Sequence, residues 1–226
     1  MDEFGDATVR LVESVLAAGA RHVGLLMRHS AREFVPGRHD LENPLTDEGR
    51  ALARRMGSLL PKDLLVRGYA SPAERCVETA ALILGGHEAD GGRVARHRPV
   101  EGLGVFYVLD QMRMFRAMQA AQGQVGFLER WFEGDVPVDV MMPADLAAKL
   151  VARIVTQKLR QPIATPQLEV CVSHDITLYL VRDRLLGHKP ASAEVRFLDG
   201  LVFYEDADGT WLASGDGGRV RIDAEV

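Results

Sequence analysis

The stretch Leu25-Leu26-Met27-Arg28-His29-Ser30-Ala31-Arg32-Glu33 passes, with no turn residue, from an apolar run into a histidine flanked by two arginines. Residues 22–27 read as a short buried strand, so this charge falls at a strand's carboxyl end. In an open α/β sheet the carboxyl ends of the strands form the ligand crevice. The arrangement recurs twice. Residues 64–70 read as a second strand, followed by Ser71-Pro72 and a helix with Arg75 in its first turn. Residues 169–173 read as a third, ending in His174-Asp175. Taken singly, an Arg-His pair at a strand end is a solvated turn and a His-Asp pair is a helix N-cap. Three such places on three strand ends point to one shared site.

The remaining pattern alternates strand and helix. Helices are predicted over 7–18, ending at Gly19, and from Thr46, a good N-cap followed by Asp47 and Glu48, to near Pro61. The helix opened by Ser71-Pro72 is expected to fade at Gly85-Gly86, before a third short strand over 93–100. Helical segments follow at 111–118, 125–132 and 143–159, and another at 175–186 closed by Gly187. The tail reads as a hairpin, 201–205 with 210–214, turning through Asp206-Ala207-Asp208-Gly209. The loop 33–44 is polar, with Pro36, Gly37, Asn43 and Pro44 as breakers. The pattern argues an α/β fold, a three-layer α/β/α sandwich with a mostly parallel central sheet. One domain over 1–226 is expected, carrying a helical insert at about 103–140 that covers the sheet's edge or the site.

Composition narrows the function classes. The 226 residues carry a formal charge of −5, so no global basic field gathers nucleic acid or anionic lipid. Any anion site must be built locally. Cys76 and Cys171 form no zinc spacing or disulfide framework and read as small buried hydrophobes. No stretch approaches the ~18 apolar residues of a membrane helix, and the acidic amino terminus does not resemble a signal peptide. The chain reads as cytoplasmic, binding neither nucleic acid nor membrane. His39, His87, His97 and His188 read as surface residues, and Arg93, Arg96 and Arg98 as a solvated face. The Met- and aromatic-rich stretch 106–115 reads as the apolar face of an insert helix, with a lid or a homodimer surface as alternatives. Arg38 and His39 are a two-cation rim for a second anion, or simply loop.

The converging residues suggest their own chemistry. Arginine's planar fork matches phosphate oxygens, so several arginines around one histidine form a cradle for a phosphoryl group with a nitrogen nucleophile at its centre. At this point the sequence resembles the histidine phosphatase superfamily. Arg28-His29-Ser30 stands where that family has Arg-His-Gly. Leu45-Thr46-Asp47-Glu48-Gly49 looks like its Leu-Thr-x-x-Gly helix start, and Ser71, Arg75 and Thr79 its Ser-x-x-x-Arg-x-x-x-Thr segment. Ser173-His174-Asp175 resembles its second histidine motif. Together these cover about residues 23–187 in the family's order. Arg32 and the His-Asp pair resemble the acid phosphatase and phytase branch, while the short, cysteine-poor chain resembles the mutase-like branch.

The resemblance implies a phosphoglycerate mutase-like fold and a metal-independent, cofactor-free phosphatase acting on a small phosphorylated substrate. It implies His29 as nucleophile, with Arg28, Arg32, Arg75 and His174 holding the phosphoryl oxygens. Two residues compete as general acid: Asp175, following the acid phosphatase branch, and Glu101, which sits where the mutase-like branch places its acid. Either could instead be structural, Asp175 as an N-cap and Glu101 as an arginine's partner. A phosphomutase of the same fold and an inactive phosphate-binding module are the rival functions, and Ser30 in place of glycine is a departure that the sequence leaves unexplained.

Overall fold

A computed structural model describes residues 2–35 and 42–222. Arg38 and His39, with Pro36 and Gly37 of the polar loop, lie outside the described residues. In chain order the elements are α1 (Asp6–Ala17), β1 (His22–Arg28), α2 (Asp47–Leu59), β2 (Leu65–Ala70), α3 (Glu74–Ala89), β3 (Arg93–Val94), β4 (Arg98–Pro99), α4 (Gln111–Ala120), α5 (Gln124–Glu133), α6 (Ala144–Leu159), β5 (Gln167–Ser173), α7 (Asp175–Leu186), β6 (Gly200–Asp206), β7 (Gly209–Ser214) and β8 (Arg219–Ile222). The fold is α/β with a mixed central sheet, ordered β3-β2-β5-β1-β6-β7-β8, with β4 also on β2. The half containing β1 to β5 is parallel; β6, β7 and β8 add on antiparallel.

Three layers follow from the two-residue side-chain period. Leu25 and Met27 of β1 pack on one face with α1, α2 and α3, whereas Leu26 points to the other face, under α6 and α7. All seven residues of β5 are buried, as expected of a parallel strand covered on both faces. Thr46 caps α2 as predicted, its hydroxyl accepting from Gly49 N at 2.9 Å. Among the described residues no helix is long and apolar enough to cross a membrane.

Three expectations need correcting, and one strand is new. Helix α3 does not fade at Gly85-Gly86 but continues to Ala89. A Cβ on Gly86 would lie 2.0 Å from the Arg54 carbonyl oxygen, and one on Gly57 would lie 2.0 Å from that of Ile83. The two glycines therefore let α2 and α3 touch backbone to backbone, and Gly86 marks a contact rather than a stop. The strand expected over 93–100 is split into β3 and β4. Between their pairings with β2, four steps from Val94 to Arg98 oppose three from Val66 to Tyr69, a bulge of one residue that blunts the sheet's edge. His87 is buried rather than superficial, its Nε2 lying 3.3 Å from the Leu64 carbonyl oxygen. Strand β8, pairing with β7 beyond the predicted hairpin, has no counterpart in the sequence reading.

The neighbouring glycines 85 and 86 make a paired test. A Cβ on Gly85 meets nothing within 4 Å, so Gly85→Ala should stabilise the fold by about 0.5–1 kcal/mol through helix propensity. Gly86→Ala should destabilise it by about 1–3 kcal/mol, because it overpacks the α2–α3 contact. Urea denaturation of the two variants checks both signs.

Candidate active site

The order β2-β5-β1 sets three strand ends side by side. Arg28 pairs with Ser173 and Ala70 with Val172, so the residues that leave these strands emerge at one level. His29 N donates to the Ser173 carbonyl at 3.1 Å, and Ser71 N to that of Val172 at 2.8 Å. These bonds hold His29, Ser71 and His174 beside one another before any side-chain contact forms.

The two imidazoles face each other with ring centroids 5.8 Å apart. His29 is 2% exposed, Arg75 3% and His174 5%. His29 Nδ1 lies 2.8 Å from the Ser30 carbonyl oxygen, which can only accept, so Nδ1 carries the proton. Nε2 is then left with its lone pair, and Arg75 Nε donates to it at 3.0 Å. Burial, followed by the charge of Arg75, pushes the His29 pKa well below its ordinary value. The ring is neutral at neutral pH, in the tautomer that leaves Nε2 unprotonated. His174 has the opposite tautomer. Arg75 Nη2 approaches its Nδ1 at 3.5 Å and can only donate, so Nε2–H donates to Ser71 Oγ at 2.9 Å.

Ser30 has a structural task. Its side chain is fully buried and turns away from His29, donating to the Gly49 carbonyl at 2.7 Å, while its N–H donates to Thr79 Oγ1 at 3.1 Å. Gly49 in turn must be glycine, since a Cβ there would lie 2.1 Å from the Ala31 carbonyl oxygen. The start of α2 is thus pressed against the loop that carries the histidine. Thr79, the last residue of the Ser71-Arg75-Thr79 pattern, is part of this brace.

The other sequence candidates fall into three positions. Arg28 stands beside the histidines, donating to the Val195 carbonyl at 2.6 Å and pairing with Asp175 Oδ2 at 3.1 Å. Asp175 also accepts from Ile176 N at 2.7 Å and lines the cleft with Arg75 and His174. Arg32 lies farther out, at the cleft's half-exposed wall, where it donates to the Glu33 carbonyl at 3.0 Å. Glu101 stands apart: it is exposed, in a short 3-10 turn over Glu101–Leu103, and does not line the cleft. Cys76 lies 3.9 Å from His174 Nε2, but burial pushes its thiol up to about 12. It stays protonated and is no rival nucleophile. No group of three His, Cys, Asp or Glu among the described residues is placed to hold a metal ion.

Two contributors escape any sequence motif. The Phe197 ring covers the Arg28 guanidinium, 4.1 Å from its centroid, and lies 6.0 Å from the His29 ring. Val195 supplies Arg28's carbonyl partner. Both come from the connection between α7 and β6, where the structure places Leu198 in a left-handed conformation at φ 60°, a leucine that nothing in the sequence sets apart.

Comparison with known proteins agrees with this fold. The model of the histidine phosphatase superfamily (branch 1) matches residues 24–199. No curated protein matches. Similar solved structures include a mutant phosphoserine phosphatase from Entamoeba histolytica in complex with phosphoserine, 18% identical over 85% of this chain and 95% of that one, at a TM-score of 0.56. An alpha-ribazole phosphatase from Shigella flexneri is 19% identical over 90% and 98%, with a TM-score of 0.51. A phosphoglycerate mutase from Bacillus anthracis is 16% identical over 90% and 93%, also at 0.51. At these identities the likeness is one of fold.

The state of His29 is open to measurement. Nitrogen-detected NMR at pH 6.5 should find its ring neutral, with the proton on Nδ1; an imidazolium there would contradict the geometry. Below about pH 6.5 the unfolded chain binds a proton at this position and the folded chain does not, so this group makes stability decline as the pH is lowered.

Proposed function

The chain belongs to the histidine phosphatase superfamily, and on that footing we propose that it is a metal-independent phosphomonoesterase working through a phosphohistidine on His29. The observation that carries this reading is the Nε2 lone pair of a buried, neutral His29, with Arg75 on it and His174 across from it. The ester's phosphoryl oxygens draw Arg75 away from Nε2, which frees the lone pair for in-line attack. The P–N bond forms as the ester P–O bond breaks. Arg75, His174 and Arg28, with Arg32 from the outer wall, stabilise the charge on the transferring oxygens, the term that dominates phosphoryl transfer. His174 contributes as a donor once it is protonated at Nδ1, facing the dianion.

The leaving oxygen needs a proton, and the group that gives it can then take one from the attacking water. Water attack breaks the P–N bond and releases inorganic phosphate. Asp175 suits this role because it lines the cleft beside His174, whereas Glu101 does not. Its pairing with Arg28 aims the carboxylate, and the Ile176 N–H fixes its other oxygen. The positive charge that a metal would supply comes here from the arginines.

Rapid-quench experiments with labelled substrate should trap an acid-labile phosphoenzyme in the wild type and none in His29→Ala, with turnover unaffected by chelator. Turnover lost with chelator, or a phosphoenzyme that survives His29→Ala, would sink the reading. Asp175→Asn should slow phosphoenzyme formation by about 10²–10⁴-fold, the usual share of general acid catalysis. If formation survives Asp175→Asn and collapses in Glu101→Gln, the acid is Glu101.

A further inference from the structure

The cleft that holds Arg75, His174 and Asp175 extends well beyond the space a phosphoryl group needs. It measures about 480 Å³, within the range of small-molecule sites. Past His174 its walls include Val105, Val108, Met114, Phe115, Met118 and Ile176, most of them from α4 and the segment leading into it. Among the described residues the cations that line it are Arg75, at the buried end with His174 beside it, and Arg32 on the outer wall, which the proposed mechanism assigns to the phosphoryl group. Apart from Asp175 at the same end, the other polar side chains are the uncharged amides Gln111 and Gln124. Arg113 of α4 pairs instead with Asp139, and Arg116 is exposed outside the cleft.

From these walls we infer that the substrate is the phosphomonoester of an uncharged, largely apolar alcohol, about the size of an aryl-alkyl or branched alkyl group. The inference rests on the phosphatase reading of the same site. Among the described residues, a carboxylate or second phosphate on the leaving group would be pressed against apolar walls, losing its water without gaining a cationic partner there. Sugar acids and bisphosphates are therefore poor occupants, which also weighs against a mutase passing phosphate between hydroxyls of such a molecule.

Part of the pocket is firmly fixed to the catalytic end. Ser173 Oγ donates to the Leu103 carbonyl at 2.7 Å, and the Tyr107 hydroxyl meets Thr177 Oγ1 at 2.8 Å, which ties the start of the insert to the strand and helix on either side of His174. The opposite wall is built of two methionines and a phenylalanine on α4. Methionine's flexible, polarisable side chain adapts to varied apolar shapes. The apolar portion is selected for its lack of charge more than for one outline.

The test uses the full chain and four primary alkyl phosphates, whose leaving groups are of similar basicity: 2-phenylethyl phosphate, hexyl phosphate, phosphoserine and 3-phosphoglycerate. kcat/KM for the first two should exceed that for the last two by about tenfold or more, the scale on which apolar pockets discriminate. Phe115→Ala should lower the rate with 2-phenylethyl phosphate more than that with 3-phosphoglycerate. Met118→Arg should shift selectivity towards 3-phosphoglycerate, whereas Met112→Arg, which puts the same charge on the exposed side of α4 outside the cleft, should not. If the charged esters react as fast as the apolar ones, or the ratio ignores Phe115→Ala and Met118→Arg, the pocket assignment is wrong and the phosphatase reading stands. If no ester reacts, the phosphatase reading falls, and calorimetry decides the pocket. Tighter binding of 2-phenylethylphosphonate than of phosphonoacetate would support it; equal or weaker binding would overturn it.

Discussion

The bond from His29 Nδ1 to the Ser30 carbonyl decides what this site can do, because it leaves the other ring nitrogen unprotonated and aimed at Arg75. That bond exists only while the loop after β1 keeps its path. Ser30 Oγ on the Gly49 carbonyl, Thr79 Oγ1 on the Ser30 N–H, and Thr46 N on the Ala31 carbonyl fix that path from two helices. All of these groups lie in or against the interior, where an orphaned polar atom costs about 1–3 kcal/mol. The brace is therefore cooperative, since loosening one member exposes the rest to the same cost. Serine in place of glycine after the histidine is absorbed because its hydroxyl finds the carbonyl at the start of α2.

Charge is distributed unevenly between the arginines. Arg28 is matched by Asp175 and covered by Phe197, while its buried Nε finds no hydrogen-bond partner among the described residues. Arg75 points its donors at two imidazole nitrogens, and its charge helps to hold His29 neutral. Neutral imidazoles are weaker acceptors than the oxygens of a dianion. A dianion at the buried end of the cleft would be a better acceptor for Arg75 than either imidazole, and an anion that bound only the folded state would stabilise it in proportion to its occupancy.

How much of this was legible in the sequence depends on whether the signal was local. The Thr46 cap, the strand that ends in Arg28 and the helix closed by Gly187 are local rules, and the structure follows them. So is the stacking of three strand ends, once a parallel sheet is accepted. Gly86 misled because a glycine inside a helix reads as a break until the facing helix is seen to need the space. His87 misled likewise: its polar neighbours suggested a surface, but α3 runs on far enough to bury it against Leu64. The pairing of Arg28 with Asp175 joins residues 147 apart, and only the sheet order makes them neighbours. That Glu101 lies outside the cleft also depends on tertiary path, since a three-residue turn after β4 sets its direction.

The back wall of the site shows why some functional residues have no motif at all. Phe197 and Val195 reach Arg28 because the chain turns sharply before β6, with Leu198 in a left-handed conformation that costs a non-glycine residue about 1–3 kcal/mol. Leu198 is itself fully buried, and Thr8 Oγ1 donates to its carbonyl at 2.7 Å, so packing and a hydrogen bond from α1 hold the strained turn. The next carbonyl, that of Asp199, accepts from Arg28 N at 2.9 Å. Both the backbone and the guanidinium of Arg28 are thus gripped by one turn. A glycine at 198 would relieve the strain but forfeit the buried side chain and free the turn to move. The strain offsets that mobility: it keeps an aromatic face over a cation and the cation beside His29, which no choice of residue within the strand-end motif could achieve alone.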